Sequence, residues 1–350
     1  MQHVTEPPAS GFDDFTSVLG EYREITRDLL FRYLPEAEPR AYLYDLAAEY
    51  PRRGGRGFRP SLCIATARAF GASPEAAVRT AVSIEMIHNA MLIHDDIEDE
   101  SEERRGRPAM HVTEGVPIAL NVGDMLSLLA IRPLLDNQEI LGPWMSLRLL
   151  EETERMARES AEGQALELGW RRDNVTELTH SDYLTMVLKK TCWLATIHPS
   201  RVGALIGTEG RIDPDRFTRF GFFLGAAFQV QDDLLNLQGD PDDYGKELDG
   251  DIWEGKRTLM LIHLFEYASA VEKRALTRML GKERHERTAD DIGMVRELMD
   301  RYDSIGYARQ AAHGLAGAAR YEFAQLYGGL PDSPDKRFIE ALPEWVIRRS

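Results

Sequence analysis

The chain has 350 residues, 43% of them hydrophobic and 29% charged, enough for one large core or two smaller ones. Its 58 acidic and 42 basic residues leave a formal charge of −16, the wrong sign for a nucleic-acid binder. Two cysteines, Cys63 and Cys192, supply neither a disulfide framework nor a zinc spacing and fit a reducing cytoplasm.

The opening "MQHVTEPPASG" is polar and proline-containing, without the basic start and apolar run of a signal peptide. Residues 1–12 read as a disordered tail and 13–350 as one domain. Apolar residues then recur at three and four, which predicts helices over 19–34, 43–50, 59–70, 74–99, 116–135 and 143–168. The same spacing continues over 181–207, 214–237, 256–268, 270–280, 290–303 and 305–326. Strand-like alternation is absent. The breaks are short, such as "PRRGG" at 51–55, "RRGRP" at 104–108 and "LGP" at 141–143, and none resembles an interdomain linker. The fold class is therefore all-α, a single domain of about a dozen helices. The run "GFFLGAAFQV" at 221–230 is too short to span a bilayer, so stable membrane insertion is not expected.

The helix over 74–99 ends in "HDDIEDE", and seven acids fall within positions 95 to 103. Asp95 and Asp99 are four apart and share a face. Like charges at that spacing repel, and the helix's C-terminal dipole disfavours them further. Carboxylates stacked against both effects call for a compensating cation, and paired hard oxygens suit magnesium bridging to substrate phosphates. A solvated acidic helix end is the ordinary alternative for a single run. A second run changes the balance: "FQVQDDLLNLQGD" at 228–240 ends another apolar helix with Asp232 and Asp233, and Asn236 stands four after Asp232. Two apolar helices ending in Asp-Asp suggest facing walls of one cavity. Basic segments accompany them: "RRGGRGFRP" (52–60), "RRGR" (104–107), "LKKT" (188–191) and "GKELDGDIWEGKRT" (245–258). Arginine forks match phosphate oxygens, and lysine supplies a point charge.

At these residues the chain resembles the trans-isoprenyl diphosphate synthases, the polyprenyl synthetase family, and its geranylgeranyl-type members in particular. The matching segments run in family order over roughly 25 to 330: "GGRGFRP", "EMIHNAMLIHDDIEDESEERRGRP", "NVGDMLS", "EGQALEL", "MVLKKT", "GAAFQVQDDLLNLQGD" and "GKELDGDIWEGKRTLM". The resemblance implies an antiparallel helical bundle around a central cavity, usually a homodimer. It implies head-to-tail condensation of isopentenyl diphosphate with an allylic diphosphate, with Mg2+ as cofactor. Carried over by position, Asp95, Asp96 and Asp99 would hold metal, facing Asp232, Asp233 and Asn236. Arg104, Lys190, Thr191, Gln229 and Lys246 or Lys256 would bind the allylic diphosphate. Arg56, Arg59, His88 and Arg105 would bind isopentenyl diphosphate. His88, Thr191 and Gln229 also have ordinary readings as polar groups on helix faces.

Three departures stand out. "GGRGFRP" carries Arg56 for the family's lysine and Gly57 for an arginine, so that site loses a cation. Asn236 replaces a third aspartate but still offers a carbonyl oxygen. Glu167 stands where an aspartate is common. Product length should be set on the stripe running into Asp95. Met91 and Ile87 lie four and eight before Asp95 on that stripe and Ala90 five before it. The resemblance implies that aromatics at the four- and five-before positions stop growth at fifteen carbons, and with Met91 and Ala90 there a twenty-carbon product is expected. Met125 and Leu126 on the next helix are further candidates for closing that cavity. Two rivals share the fold: a class I terpene cyclase and a non-catalytic regulatory subunit of a heteromeric synthase.

Overall fold

The computed structural model describes residues 10–239 and 248–349. Helix α1 (Ser10–Tyr33) starts within the segment expected to be a disordered tail; residues 1–9 lie outside the described residues. Short helical turns over 40–52 lead to α2 (Phe58–Ala69) and α3 (Pro74–Glu98). Pro74 at the first helical position and Glu75 in the first turn start α3, as the fixed φ and the helix dipole favour. Beyond its end, Glu100 turns the chain at φ 53°.

The break expected at "RRGRP" is a tight hairpin. Glu103–Arg104 and Arg107–Pro108 form a two-residue antiparallel hairpin, β1 and β2. Arg105 and Gly106 both have positive φ, 56° and 69°, which is how a primed two-residue turn joins twisted strands. Arg53 ties this hairpin down by donating to the carbonyls of Arg104 at 3.0 Å and Pro108 at 2.9 Å.

The next helices are α4 (Val116–Leu129), α5 (Ile131–Asp136) and α6 (Gln138–Arg172), the last kinked at Gly142. Residues Val116–Asp136 are long and apolar enough to cross a membrane by length and composition alone, which the sequence reading passed over. In the fold Ala119, Val122 and Leu126 of this stretch are buried in the core, while Val116, Leu120, Leu128, Ile131 and Leu135 are exposed.

The expected single helix over 181–207 is three segments. α7 (His180–Val187) begins with a Thr179–Asp182 capping box, passes into a π-helix (Leu188–Ile197), and resumes as α8 (His198–Gly207). α-Periodicity in the sequence cannot reveal one extra residue per turn. Gly163 of α6 packs against the π segment so closely that a Cβ there would overlap the Lys190 backbone.

α9 (Thr218–Gln238) crosses this segment and packs on α13 (Ser304–Tyr327). α10 (Leu259–Tyr267), α11 (Ala270–Leu280) and α12 (Ala289–Arg301) lie between, started by Thr258, Ser269 and Thr288 caps. The chain ends in α14 (Pro334–Arg348), which the sequence reading missed; Pro334 opens it and Pro343 lies inside it. α14 packs on α1, with Phe338 stacked 4.9 Å from Phe15. Both rings are almost fully buried, each worth about 1.5–3 kcal/mol in hydrophobic transfer. That core holds the helices carrying the arginines in place. A second core, built from α3, α4, α7, α9 and α10, surrounds the cavity.

Candidate active site

A cavity of about 510 Å³ opens between the ends of α3 and α9. Asp95 lines it, and its carboxylate accepts from Gln164 at 3.3 Å and pairs with Lys190 at 3.2 Å. Asp96, one residue on, points the other way. It is fully buried and receives Tyr50 Oη at 2.6 Å and Arg104 Nε at 2.8 Å, with a second, shorter contact from the Arg104 fork. Asp96, a metal-ligand candidate from the sequence, is not brought to the cavity lining in this structure but is committed to Tyr50 and Arg104. Asp96 instead fixes Arg104, whose charge survives burial because Asp96 and then Asp95 sustain it.

Asp99 shares Asp95's stripe, yet its side chain is fully buried. Arg171 donates to Oδ1 at 2.5 Å, and Lys256 Nζ lies 2.8 Å from Oδ2. Lys256 also meets Glu254 at 2.5 Å and Asp251 at 3.5 Å. Burial opposes its charge, but Asp99, Glu254 and Asp251 hold its pKa well up. Lys190 behaves alike: burial opposes it, and Asp95 and Glu167 raise it. Glu167, the departure from aspartate, reaches Lys190 directly.

On the facing wall Asp232 lines the cavity and is held by Arg349 at 2.8 Å. Asp233 accepts from Tyr183 at 2.7 Å and Gln229 at 2.7 Å, and Gln229 in turn accepts from Thr191 at 2.8 Å. Burial first, then Asp251, pushes the Asp233 carboxyl well above its usual range. Asn236, the remaining candidate on this wall, is not brought to the lining. Its Oδ1 accepts from the Asp251 backbone at 3.0 Å and its backbone carbonyl accepts from Asp249 at 2.9 Å. It pins the turn that carries Asp251. Lys246 lies outside the described residues.

A second groove of about 550 Å³ adjoins the first, sharing Arg59, His88, Arg104, Phe228 and Asp232 as lining. It gathers Arg23, Arg53, Arg56, Arg59, Arg104, Arg105 and Arg349. Arg59 lies 3.4 Å from His88 Nε2, its Nε is buried without a partner, and burial draws its pKa down to about 10, still a cation at neutral pH. Burial and the neighbouring arginines keep His88 neutral. Gly57 explains its own departure: φ is 67°, and a Cβ would meet Arg23 Cβ at 2.8 Å. The cation lost there is replaced from distant chain by Arg23 and Arg349, which the sequence reading missed. Arg349 stacks 4.0 Å from the Phe228 ring.

Of the three length candidates, Met91 lines the cavity, whereas Ile87 and Ala90 are packed in the core. Ala90 is five before Asp95 and so about 140° away around the helix. Met125 and Leu126 do not reach the cavity. Its apolar wall is completed by Ala161, Leu168, Met186 and Leu194, with Ser160 beside them, none singled out from sequence.

Hard carboxylate oxygens on both walls, those of Asp95, Asp232 and Asp233, fit a divalent cation by donor type, with Asp99 Oδ2 reached from the cavity side by Lys256 at 2.8 Å. Among the described residues no three acids or histidines converge into a closed cage, so such a cation would draw other ligands from substrate and water.

A polyprenyl synthetase family model matches residues 40–298. The geranylgeranyl pyrophosphate synthase of Geoglobus acetivorans is 31% identical, over 95% of this chain and 99% of its own length. The geranylgeranyl pyrophosphate synthetase of Pyrococcus horikoshii superposes with a TM-score of 0.85 at 31% identity, covering 97% of this chain and 99% of that one. A Caulobacter crescentus polyprenyl synthase, solved with calcium and isoprenyl diphosphate, gives 0.84 at 28%, covering 98% and 100%. With the acidic walls, the arginine groove and the helical bundle in agreement, the chain belongs to the polyprenyl synthetase family.

Proposed function

We propose that this protein is a head-to-tail prenyltransferase that joins isopentenyl diphosphate to an allylic diphosphate. The observation that carries this is the pair of adjoining anion sites. One lies beneath the acidic walls at an apolar cavity, the other among seven arginines, and they meet at His88 and Asp232. In the reaction the allylic C–O bond breaks and diphosphate leaves. The isopentenyl double bond attacks the allylic carbon, the released diphosphate takes a proton from the joined chain, and the product is five carbons longer. A bound magnesium ion would stabilise the charge of the leaving diphosphate.

The protein's own residues do the rest. Lys190, Lys256 and Arg104 hold the leaving diphosphate, and Thr191 and Gln229 orient its oxygens. Arg56, Arg59 and Arg105 hold isopentenyl diphosphate, with neutral His88 between the two sites. Asp95, Asp99, Asp232 and Asp233 are the residues that would carry the metal; the calcium-bound Caulobacter relative supports a hard divalent cation there. Met91, Leu168, Met186 and Leu194 keep water from the allylic cation, which water would quench. The absence of an aromatic at Met91 and the names of the G. acetivorans and P. horikoshii relatives support a twenty-carbon product. The arginine groove favours extension over the cyclase reading, which gives it no ligand. Intact acids and arginines favour an enzyme over a regulatory subunit.

The exposed apolar stripe of Val116, Leu120, Leu128, Ile131, Leu135, Ile140, Trp144 and Leu147 supports a homodimer, which light scattering would refute by returning the mass of one chain. Buried free thiols at Cys63 and Cys192 support a cytoplasmic setting, testable by fractionation. The decisive test is incubation with magnesium, isopentenyl diphosphate and dimethylallyl, geranyl or farnesyl diphosphate, with products read by mass spectrometry. A linear twenty-carbon diphosphate is expected. Cyclised hydrocarbon, or no consumption of isopentenyl diphosphate, would overturn the assignment.

A further inference from the structure

Asp99 is held by two cations, and only one of them belongs to the cavity. Lys256 lines it; Arg171, at the C-terminal turn of α6, does not, and it approaches Asp99 from behind. The two divide the carboxylate, Arg171 on Oδ1 and Lys256 against Oδ2. Lys256 has other anions in reach, Glu254 and Asp251, and stands where a diphosphate would enter, so it can exchange partners. Arg171 has Asp99 as its one close ion-pair partner among the described residues. It is held at a helix end whose dipole favours its charge.

We propose that Arg171 is a positioning residue that keeps the metal affinity of Asp99 low, by holding Oδ1 as a standing counter-ion while Oδ2 exchanges Lys256 for the cation. This rests on the reading of Asp99 as a metal ligand. Two effects oppose each other when Arg171 is removed. Asp99 loses one charge-assisted hydrogen bond that orients it, which weakens binding. The site also loses a positive charge standing one carboxylate away from a doubly charged ion, which strengthens it. Coulomb energy scales with the product of the charges, and this corner is buried, so the second effect is the larger. The functional return is release. A wall that bound metal too tightly would retain the metal–pyrophosphate product after each turnover.

The test is Mn2+ titration followed by electron paramagnetic resonance, with inorganic pyrophosphate present, on the full chain. Arg171→Gln should lower the apparent Mn2+ dissociation constant at least tenfold, and Arg171→Lys, which keeps the charge, should stay within about twofold of the unaltered protein. Pyrophosphate release measured by stopped flow should slow in Arg171→Gln alone. Unchanged or weaker Mn2+ binding in Arg171→Gln would overturn the inference. Asp99→Asn separates the two levels of argument. If it binds Mn2+ like the unaltered protein, the reading of the metal site fails. If it loses Mn2+ while Arg171→Gln is unaffected, only the role of Arg171 fails. Melting curves on all three variants exclude misfolding as the cause of either result.

Discussion

Asp95 and Asp96 are neighbours with the same side chain, and they should respond differently to the same substitution. Asp96→Asn removes the buried partner of Arg104, itself only 8% exposed. Breaking a buried pair from one side costs about 3–5 kcal/mol, because the other charge stays desolvated. Asp95 remains 3.9 Å from Arg104, which favours the lower end of that range. At roughly 2.1 cal/mol/K per residue, unfolding this 350-residue chain carries an entropy near 0.7 kcal/mol/K, so melting should fall by about 4–7 °C. Asp95→Asn acts on a half-buried group at the cavity and should leave melting nearly unchanged while abolishing turnover. Calorimetry and steady-state assays on the two variants decide it. Asp96→Asn should keep Mn2+ binding and raise KM for the allylic diphosphate through a displaced Arg104. If Asp96→Asn melts normally and loses Mn2+ as Asp95→Asn does, Asp96 faces the metal and the division of labour drawn here is wrong.

Three further predictions follow from single contacts. Met91→Phe should fill the cavity beside Asp95 and shorten the product by at least one five-carbon unit; an unchanged product profile would place the floor at Met186 or Leu194 instead. Gly57→Arg should restore the family residue yet lose about 1–2 kcal/mol in urea unfolding, since φ is 67° and Arg23 occupies the Cβ position. Unaltered stability, or a lower KM for isopentenyl diphosphate, would contradict that. His198 is fully buried beside Thr153, and burial holds its pKa down to about 3. The unfolded chain takes up this proton below about pH 6.5 and the folded chain does not, so stability falls as pH drops from 6.5 toward 3. Between pH 7 and 5 His198 should account for about 2 kcal/mol of that loss. His198→Gln should remove this component of the urea-unfolding slope, and equal slopes in both proteins would refute it.

The two acidic helix ends were legible because their chemistry is local: Asp95 and Asp99 share a face by helical spacing alone, and α3 runs over 74–98 against an expected 74–99. What each carboxylate faces was less legible. Asp96 and Asn236 carry metal-binding side chains, but Tyr50 and the Asp251 backbone, 46 and 15 residues away in sequence, decide their partners. Arg349 and Arg23 reach the arginine groove through the packing of α14 on α1, which no motif signals. Ser160 and Met186 line the cavity for the same reason: their helices read as amphipathic, but which neighbour each faces is set by tertiary contact. No motif contains Arg171; the fold alone brings it to Asp99.

The π segment at 188–197 makes this site depend on phase as well as on chemistry. Lys190 and Thr191 meet Asp95 and Gln229 because the backbone there is wound one residue looser per turn, with Gly163 giving it room. A single-residue deletion in the stretch, even of a residue that touches nothing, would let it rewind as ordinary α-helix and carry one flank about 100° around the axis relative to the other. Every binding side chain would still be present in the sequence, and the lysine would point at the wrong neighbour. Length in this stretch is therefore under tighter constraint than most of its residue identities, and a homologue one residue shorter here should be read as having rebuilt its diphosphate site.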